Sequence, residues 1–253
     1  MKLTILGSGT GRPDGTRNSA GYFVELPSTR IMLDCGAGSL HALARYGLPW
    51  QDLTHLFVTH FHVDHVGELA ALMWAFNYGM KSVRTAPLTL IGPHGLDRVM
   101  KGLDQAYARK LFEGPFQTDL RMLESGDAVE PEPGGRLSVV KSPHTDESLA
   151  VRIDFGGRSI CYTGDTGYSD DVAAFFSGAD VLISECSYKS RREGSAHLSI
   201  DESGRIAARA GAARLVVTHF YFDVEEAALT EQLKRGFSGE VIIGRDGMTF
   251  EIS

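Results

Sequence analysis

The stretch Thr59-His60-Phe61-His62-Val63-Asp64-His65 decides how this chain is organised. It places three imidazoles and one carboxylate within six residues, directly after an apolar run from Leu53 to Val58. That run is short and rich in branched and aromatic residues, so it predicts a buried strand. The residues from Val66 to about Tyr78 predict a helix, because apolar side chains recur there at steps of three and four. The polar cluster is therefore expected at a strand-to-helix turn.

The side chains of this cluster are of the type that binds divalent metals. Imidazole and carboxylate groups are ligands of Zn²⁺ and related ions, and no thiolate is required. His60 and His62 lie two positions apart in an extended segment and can point the same way. Asp64 and His65 are adjacent and point differently, so two neighbouring metals can use these four groups more easily than one metal can. The alternative is a polar turn whose histidines are incidental, and four potential ligands in six positions disfavour it.

The pattern His-x-His-x-Asp-His resembles the signature of the metallo-β-lactamase superfamily. That family's later motifs follow in order, each after an apolar run: His144 in Ser142-Pro143-His144-Thr145, Asp165 in Tyr162-Thr163-Gly164-Asp165-Thr166, and His219 in Thr218-His219-Phe220. The end of a strand can hold such a side chain rigidly and still expose it. Three further segments are similar to the ribonuclease Z branch in particular: Gly7 to Pro13, Arg17-Asn18-Ser19 and Leu33 to Gly38.

The resemblance implies an α/β fold, a four-layer αββα metallo-β-lactamase sandwich of two mixed β-sheets. The predicted strands and helices are compatible with that layering. The length of 253 residues suits one domain over residues 1–253. Ser199 and Glu202 predict a capping box at the start of a helix over Ile200 to Ala210. The glycines of Gly7 to Gly11 do not form a dinucleotide-binding loop, since Arg12 and Pro13 break that fingerprint, and a turn-rich loop is expected.

Composition narrows the cellular context. The net charge of −7 provides no global electrostatic case for nucleic-acid binding, although a local basic site remains compatible with it. The three cysteines, Cys35, Cys161 and Cys186, fit no disulfide framework and favour a reducing cytoplasm. The first residues are too poor in apolar side chains for a signal peptide, and no run reaches transmembrane length. No membrane association is therefore expected.

The resemblance assigns the candidate ligands to two divalent metal ions. His60, His62 and His144 would hold one metal, Asp64, His65 and His219 would face the second, and Asp165 would bridge them. One carboxylate can span the roughly 3.5–4 Å between the ions of two-metal hydrolases. Two cations lower the pKa of a shared water toward neutrality, so hydroxide becomes available near pH 7. Zn²⁺ suits these ligands best, and Mn²⁺, Fe²⁺ and Co²⁺ remain compatible.

Two residues are candidates for proton transfer. His197, in Ser195-Ala196-His197-Leu198-Ser199, resembles the ribonuclease Z histidine that protonates the leaving group. The alternative for His197 is a surface histidine beside a helix cap. Asp64 could be a metal ligand, the proton acceptor that the family proposes, or both. The loop before His197 carries basic residues that could attract a phosphate chain or could simply be solvated: Lys189, Arg191 and Arg192.

Two departures from ribonuclease Z bear on the substrate. That family inserts a long arm between its third and fourth ligand motifs to grip tRNA, whereas the segment from His144 to Asp165 has room for one hairpin. The family's His-Glu-Ala-Thr segment is here Ser184-Glu185-Cys186-Ser187, so its histidine is missing. Both departures argue against authentic tRNA processing and leave a metal-dependent phosphodiesterase intact.

The favoured function is a dinuclear metal-dependent hydrolase, a phosphodiesterase or ribonuclease Z-like nuclease that acts on RNA or on a small nucleotide. One alternative is a hydrolase of acyl substrates such as a lactone, a thioester or a β-lactam, which would not require His197 and its basic loop. A second alternative is a non-catalytic, metal-stabilised module that binds RNA or a protein, although its ligand set would then be unexpectedly complete. The resemblance also implies that the chain can form a homodimer.

Overall fold

The computed structural model describes residues 1–253 and contains fourteen β-strands. The strand predicted over Leu53 to Val58 is present and is shorter, His55–Phe57. In chain order the strands are β1 Lys2–Gly7, β2 Gly21–Glu25, β3 Arg30–Leu33, β4 His55–Phe57, β5 Leu88–Pro93, β6 Thr118–Leu123, β7 Ala128–Val129, β8 Gly135–Lys141, β9 Leu149–Phe155, β10 Arg158–Tyr162, β11 Val181–Glu185, β12 Arg214–Thr218, β13 Glu240–Ile243 and β14 Thr249–Glu251.

Seven α-helices connect or flank these strands. They are α1 Ser39–Arg45, α2 Val63–Val66, α3 Leu69–Trp74, α4 Leu96–Ala106, α5 Asp170–Phe175, α6 Ile200–Ala210 and α7 Glu226–Lys234. A 3-10 turn at Trp50–Asp52 and a π-helical turn at Ala75–Gly79 complete the regular structure. The predicted capping box is confirmed, because Ser199 and Glu202 each bond the other's backbone nitrogen at the start of α6. None of the helices combines the length and apolar composition needed to cross a membrane.

The strands form two sheets of seven strands each, and both sheets are mixed. The first has the order β14-β1-β2-β3-β4-β5-β6 and the second β13-β12-β11-β10-β9-β8-β7. Neighbouring strands are parallel from β3 through β4 and β5 to β6 in the first sheet, and from β10 through β11 and β12 to β13 in the second. The remaining pairs are antiparallel. This arrangement confirms the predicted αββα sandwich.

The sandwich is held together because both faces of the central strands are apolar. Successive side chains of a strand point to opposite faces. In β1, Leu3 and Ile5 pack between the two sheets, whereas Leu6 faces the outer helices. In β11, Val181 and Ile183 likewise face the inter-sheet core, while Leu182 packs against the helices on the other side. The structure therefore has one core between the sheets and one under each helical layer.

The helix predicted over Val66 to Tyr78 is wrong in its boundaries. Helical hydrogen bonding begins earlier, where the His62 carbonyl accepts from the amides of His65 and Val66. The helix is interrupted after Val66, because the amide of Glu68 donates to the Cys35 carbonyl and not to a carbonyl of the helix. The Glu68 carboxylate then accepts from the amides of Gly38 and Leu40. The early start matters because it places Asp64 and His65 on a helical turn.

The parallel strands direct the polar segments to one edge of the sandwich. Strands β4, β8, β10 and β12 all end there. For the three strands of the second sheet this follows from the pairing, because β8 and β10 are both antiparallel to β9, and β10 and β12 are both parallel to β11. The sequences that follow these four strands carry the candidate ligands. The loop after β1 reaches the same edge, where the Ser8 carbonyl accepts from the amide of His219. As predicted, the loop from Ser8 to Ala20 contains no helix.

Candidate metal centre

The structure brings all seven predicted ligands together at this edge, although they come from four separate segments. His60 and His62 follow β4, while Asp64 and His65 lie on α2. The other three follow β8, β10 and β12: His144, Asp165 and His219. Most of these side chains are buried, and His62 is exposed. A buried cluster of polar groups at strand ends is typical of a site whose geometry is fixed by the fold.

The first group of potential ligands is formed by His60, His62, His144 and Asp165, whose donor atoms lie within 4.8 Å of one another. The Nε2 atoms of His60 and His144 are each 3.8 Å from Oδ2 of Asp165. Nε2 of His144 is also 3.0 Å from Nδ1 of His62. Three imidazoles and one carboxylate oxygen could hold one divalent ion.

The second group is formed by Asp64, His65 and His219, whose donor atoms also lie within 4.8 Å of one another. Oδ2 of Asp64 is 3.3 Å from Nε2 of His219 and 3.9 Å from Nε2 of His65. The other carboxylate oxygen of Asp165, Oδ1, lies 3.3 Å from Nε2 of His65 and 3.4 Å from Nε2 of His219. The two oxygens of Asp165 therefore face different groups, which is the arrangement that a bridging carboxylate needs.

Several atoms at the centre are buried without a hydrogen-bond partner. They are Nε2 of His60, Nε2 of His65 and Oδ1 of Asp165. An unsatisfied buried polar group costs on the order of 1–3 kcal/mol, and more if it is charged. Divalent cations would satisfy all three atoms at once, since every orphaned atom is a potential ligand. The donor set therefore fits the two metal ions that the sequence predicts.

Hydrogen bonds to the outer ring nitrogens orient the inner nitrogens toward this centre. Nδ1 of His144 contacts the Ala196 carbonyl at 2.9 Å, an acceptor that requires Nδ1 to carry the proton. The Thr59 hydroxyl donates to Asp34 and therefore accepts from Nδ1 of His60. In both rings, Nε2 is left with a lone pair that faces the centre. Burial and the neighbouring histidines lower the pKa of His60 to about 2, so this ring is neutral and able to bind a metal.

Asp34 holds His65 in the same way and was missed by the sequence analysis. Its carboxylate accepts from Nδ1 of His65 at 2.7 Å, from the amide and hydroxyl of Thr59 at 2.7 and 2.9 Å, and from the Tyr162 hydroxyl at 2.8 Å. Asp34 is fully buried and has a positive φ of 56°. The sequence offered two signals of this role, the position of Asp34 directly after a strand and its place in the Leu33 to Gly38 segment that resembles ribonuclease Z.

His197 lies beside the centre with its outer nitrogen fixed. Nδ1 of His197 is 3.0 Å from Oε1 of Glu185, a carboxylate that is 1% exposed. Burial alone would lower the pKa of His197, but the hydrogen bond and charge of Glu185 outweigh it, and the pKa is raised. Nε2 is left free to donate to a bound molecule. His197 also belongs to a third set of potential ligands with Asp165 and His219, so its position is compatible with metal contact as well.

The same glutamate reaches a second histidine through a serine. The Ser187 hydroxyl donates to Oε2 of Glu185 at 2.6 Å and lies 3.0 Å from Nδ1 of His219. Amides of Thr166 and Leu198 also donate to this carboxylate. Glu185 was considered in the sequence only as part of a segment that lacks the family's histidine. The structure shows that it orients both His197 and His219.

Asp64 is ionised in this environment. Burial would raise its pKa, but the hydrogen bond from His219 and the charges of His65 and His219 hold the pKa well below the ordinary aspartate value. Its contacts with both histidines are made by Oδ2, which leaves Oδ1 without a hydrogen bond. Asp64 can therefore offer one oxygen to a metal and the other to a proton, so the geometry is compatible with both roles considered for it.

The three basic residues of the loop before His197 differ in their partners. Arg191 forms an ion pair with Glu202, with Nε 3.3 Å from Oε1. Arg192 stacks on the ring of Tyr188, with Cζ 3.7 Å from the ring centroid, and Lys189 lies 5.6 Å from the ring of Phe222. Arg191 is therefore partly neutralised, while the other two cations keep their charge available near the site.

Comparison with known proteins places these features in a family context. A family model described as the Beta-lactamase superfamily domain matches residues 29–220. The probable metallo-hydrolase YhfI of Bacillus subtilis is 30% identical over 258 residues, which cover 99% of this chain and 100% of YhfI. A ribonuclease Z of Haloarcula marismortui is 26% identical over 306 residues, covering 98% of this chain and 96% of that protein.

Solved structures give the same picture of the fold. The crystal structure of YhfI, a metallo-beta-lactamase fold protein from Bacillus subtilis, matches with a TM-score of 0.83 at 29% identity and covers 99% of each chain. The short form of human tRNase Z matches with a TM-score of 0.82 at 22% identity and covers 100% of each chain. The present chain is short, and the β9–β10 hairpin occupies the place where a long arm would be inserted.

Proposed function

This chain belongs to the beta-lactamase superfamily and is a metallo-hydrolase of that fold, and we propose that it hydrolyses phosphodiesters. The substrates we propose are RNA or small nucleotides, as for a phosphodiesterase or a ribonuclease Z-like nuclease. The observation that carries the proposal is the 3.0 Å hydrogen bond from His197 to buried Glu185. It gives the site an oriented proton donor, which the departure of an alkoxide from phosphorus requires and the hydrolysis of an activated acyl group does not.

Two metal ions are proposed at the centre. His60, His62 and His144 would hold one ion and Asp64, His65 and His219 the other, with Asp165 contributing one oxygen to each. When bound, the ions would activate water and offset the negative charge of a phosphodiester. Burial would raise the pKa of Asp165, but the charges of His219 and His65 outweigh burial and hold the pKa well below its ordinary value. The proposed bridging carboxylate is therefore ionised, as a ligand of two cations should be.

Asp64 is proposed as the acceptor of the proton from the attacking water. Its lowered pKa keeps the carboxylate ionised at neutral pH. With Oδ2 facing His65 and His219, Oδ1 is the atom that can receive the proton. This assignment combines the two roles, ligand and proton acceptor, that the sequence left open.

His197 is proposed as the acid that protonates the leaving oxygen. Its Nδ1 is fixed by Glu185, so the proton that can be donated is on Nε2. The raised pKa of His197 increases the protonated fraction at neutral pH, which is the form that an acid catalyst needs. The ring is half-buried, with a side-chain exposure of 17%, so it remains accessible to a bound substrate.

The metal type, the cellular location and the oligomeric state are also part of the proposal. Imidazole and carboxylate donors favour zinc, with manganese or iron as alternatives. Three free, buried cysteines suit the reducing conditions of a cytoplasmic location: Cys35, Cys161 and Cys186. A homodimer stays a prediction, and the measured molar mass in solution would decide it.

The test of this function is the dependence on the leaving group in His197→Ala. An acid of this kind contributes on the order of 10²–10⁴ in rate. A p-nitrophenolate leaves readily without a proton, whereas a nucleoside alkoxide does not. His197→Ala is therefore expected to lose far more activity on a dinucleotide than on bis(p-nitrophenyl) phosphate, while retaining its metal content.

The matched control is His41→Ala, because His41 is exposed on α1 and outside the cluster. It should change neither rate. Equal losses by His197→Ala on the two substrates would remove His197 from catalysis and favour acyl hydrolysis, which a lactone and a thioester would then test directly. Loss of metal from His197→Ala would instead indicate that this histidine is a ligand.

A further inference from the structure

A cavity of about 200 Å³ is lined in part by Ser187, Tyr188 and Tyr221. Each of these residues contacts His197 or His219, so the cavity lies beside the candidate metal centre. Its walls come from two segments, the start of the loop that leads to His197 and the residues directly after His219. We call it the aromatic pocket and define it by Tyr188, Lys189, Arg192, Tyr221 and Phe222. None of these residues takes part in the proposed chemistry, so the pocket requires a separate explanation.

The rings of this pocket surround the proposed acid. The rings of Tyr188 and Tyr221 are nearly parallel, at 27°, with centroids 6.4 Å apart. Each is close to perpendicular to the ring of His197, at centroid distances of 5.9 and 6.0 Å. The space next to His197 is therefore bounded by aromatic faces. Tyr221 keeps 39% of its surface exposed, which leaves ring area available for contact.

The cations of the pocket have no acidic partner. Arg192 and Lys189 form no ion pair and instead lie against the rings of Tyr188 and Phe222. Arg191, between them in sequence, is turned away toward Glu202. Planar guanidinium and aromatic faces stack well on other planar groups, and free cations attract anions. The combination matches a ligand that carries both a flat ring and negative charge.

We propose that the aromatic pocket binds the base of a nucleoside on the leaving side of the phosphodiester. This inference rests on the proposed function, because His197 protonates the leaving oxygen and the group attached to that oxygen must extend past His197. A nucleobase there would stack on the exposed ring of Tyr221, while the guanidinium of Arg192, which lies on the Tyr188 ring, would line the same pocket. Sequence-tolerant stacking of this kind is how proteins hold single nucleotides without reading their edges. The inference adds to the proposed function the place where the base of the leaving nucleoside is held.

The tyrosines could instead serve only to support the His197 ring. Support requires packing against the ring edge, which a leucine would also provide, and it would affect every ligand alike. It gives no reason for an exposed tyrosine or for two unpaired cations at the same place. The two explanations therefore make different predictions for a variant that lacks one of these tyrosines. If the pocket holds a base, the variant binds only base-containing ligands more weakly, and if the tyrosine only supports His197, it binds all ligands more weakly.

The test compares ligands with and without a base. Adenosine 5′- and 3′-monophosphate and ribose 5-phosphate would be titrated by calorimetry into the purified, metal-containing protein and used as inhibitors of bis(p-nitrophenyl) phosphate hydrolysis. At least one adenosine monophosphate should bind about tenfold more tightly than ribose 5-phosphate, the order of one stacking contact. Tyr221→Leu should abolish this preference, and Arg192→Gln should reduce it. Tyr107→Leu is the control, because Tyr107 is exposed at the end of α4, away from the pocket.

A wild-type protein with no preference for the adenosine ligands, or a preference that survives Tyr221→Leu, would overturn the pocket assignment. Adenosine and ribose, which lack phosphate, separate this outcome from failure of the proposed function. If adenosine binds in a Tyr221-dependent manner but no phosphodiester is hydrolysed, the pocket stands and the phosphodiesterase assignment fails. If phosphodiesters are hydrolysed without any effect of the base, only the pocket assignment fails.

Discussion

Nδ1 of His65 lies 2.7 Å from Oδ2 of Asp34, so one fully buried carboxylate sets the orientation of one fully buried ligand candidate. The same carboxylate binds Thr59, whose hydroxyl in turn accepts from His60. Asp34 therefore reaches both groups of proposed ligands without facing a metal itself. Groups in such positions typically change metal affinity by 10–100-fold when they are replaced.

We expect Asp34→Asn to weaken metal binding by about 10–100-fold. Asparagine tolerates the left-handed backbone at this position, so the substitution adds little strain and tests the carboxylate. Metal content after dialysis against a graded chelator would measure the effect. Tyr162→Phe removes only one hydrogen bond to Asp34 and should change the affinity much less. Equal metal affinities in wild type and Asp34→Asn would show that this carboxylate does not support the centre.

Replacement of Asp165 should reduce the occupancy of both metal sites. Its two oxygens face different groups of histidines, so Asp165→Asn removes charge from each. The wild-type protein, purified without chelator, should contain close to two metal equivalents, and the variant clearly fewer than one. His62→Ala is the comparison, because His62 is exposed and contributes to one group only. Retention of one full equivalent by Asp165→Asn would contradict the bridging role.

The sequence identified the candidate ligands that the structure brings together because their signal is local. Each follows an apolar run, and strand ends collect side chains at one edge of a sheet, so His144, Asp165 and His219 could be placed without knowing which strands are neighbours. A short apolar run rich in branched and aromatic residues likewise identified the strand before His60, because such a run indicates burial on both faces.

The contacts that orient the ligands could not be predicted in the same way. The Tyr162 hydroxyl and Asp34 are 128 positions apart, and Glu185 and His197 belong to different elements. Periodicity says which face of a strand is buried but not what lies opposite, so β14 beside β1 was equally unforeseeable. Helix limits failed where a distant segment takes a backbone donor of the helix, as the Cys35 carbonyl takes the amide of Glu68 after α2.

Pre-tRNA should be a poor substrate for this protein. The chain has a hairpin where ribonuclease Z resemblance implies an arm, and its net charge is −7. Few phosphate contacts give weak binding that falls steeply as salt rises. Cleavage of a labelled pre-tRNA should therefore be slow near physiological salt, while a dinucleotide is hydrolysed under the same conditions. Efficient cutting at a single 3′ site would contradict this prediction and show that another surface holds the tRNA.

Glu185→Gln should shift the alkaline limb of the pH–rate profile to lower pH. In the wild-type protein, the charge and hydrogen bond of Glu185 raise the pKa of His197. Removing that charge lowers the pKa, so His197 loses its proton at a lower pH and the acid form disappears sooner. The His197–Glu185 pair also contributes to the free energy of unfolding. Because the pKa of His197 is raised in the folded protein, this contribution is fully present below the unfolded histidine pKa of about 6.5 and is lost as pH rises through the folded value. The amide of glutamine would also face backbone donors that now bind the carboxylate, so the free energy of unfolding should fall by an amount on the order of 1–3 kcal/mol.

The pH–rate profile measured with a dinucleotide should show the shift of the alkaline limb, whereas the profile with p-nitrophenyl esters, which need no acid, should not. Ser187→Ala is the matched control, because it cuts the path from Glu185 to His219 and leaves the 3.0 Å contact of Glu185 with His197. It also removes the longer contact of 3.4 Å between Ser187 and Nδ1 of His197. An alkaline limb that moves in Ser187→Ala but not in Glu185→Gln would assign the titration to the metal centre and not to His197.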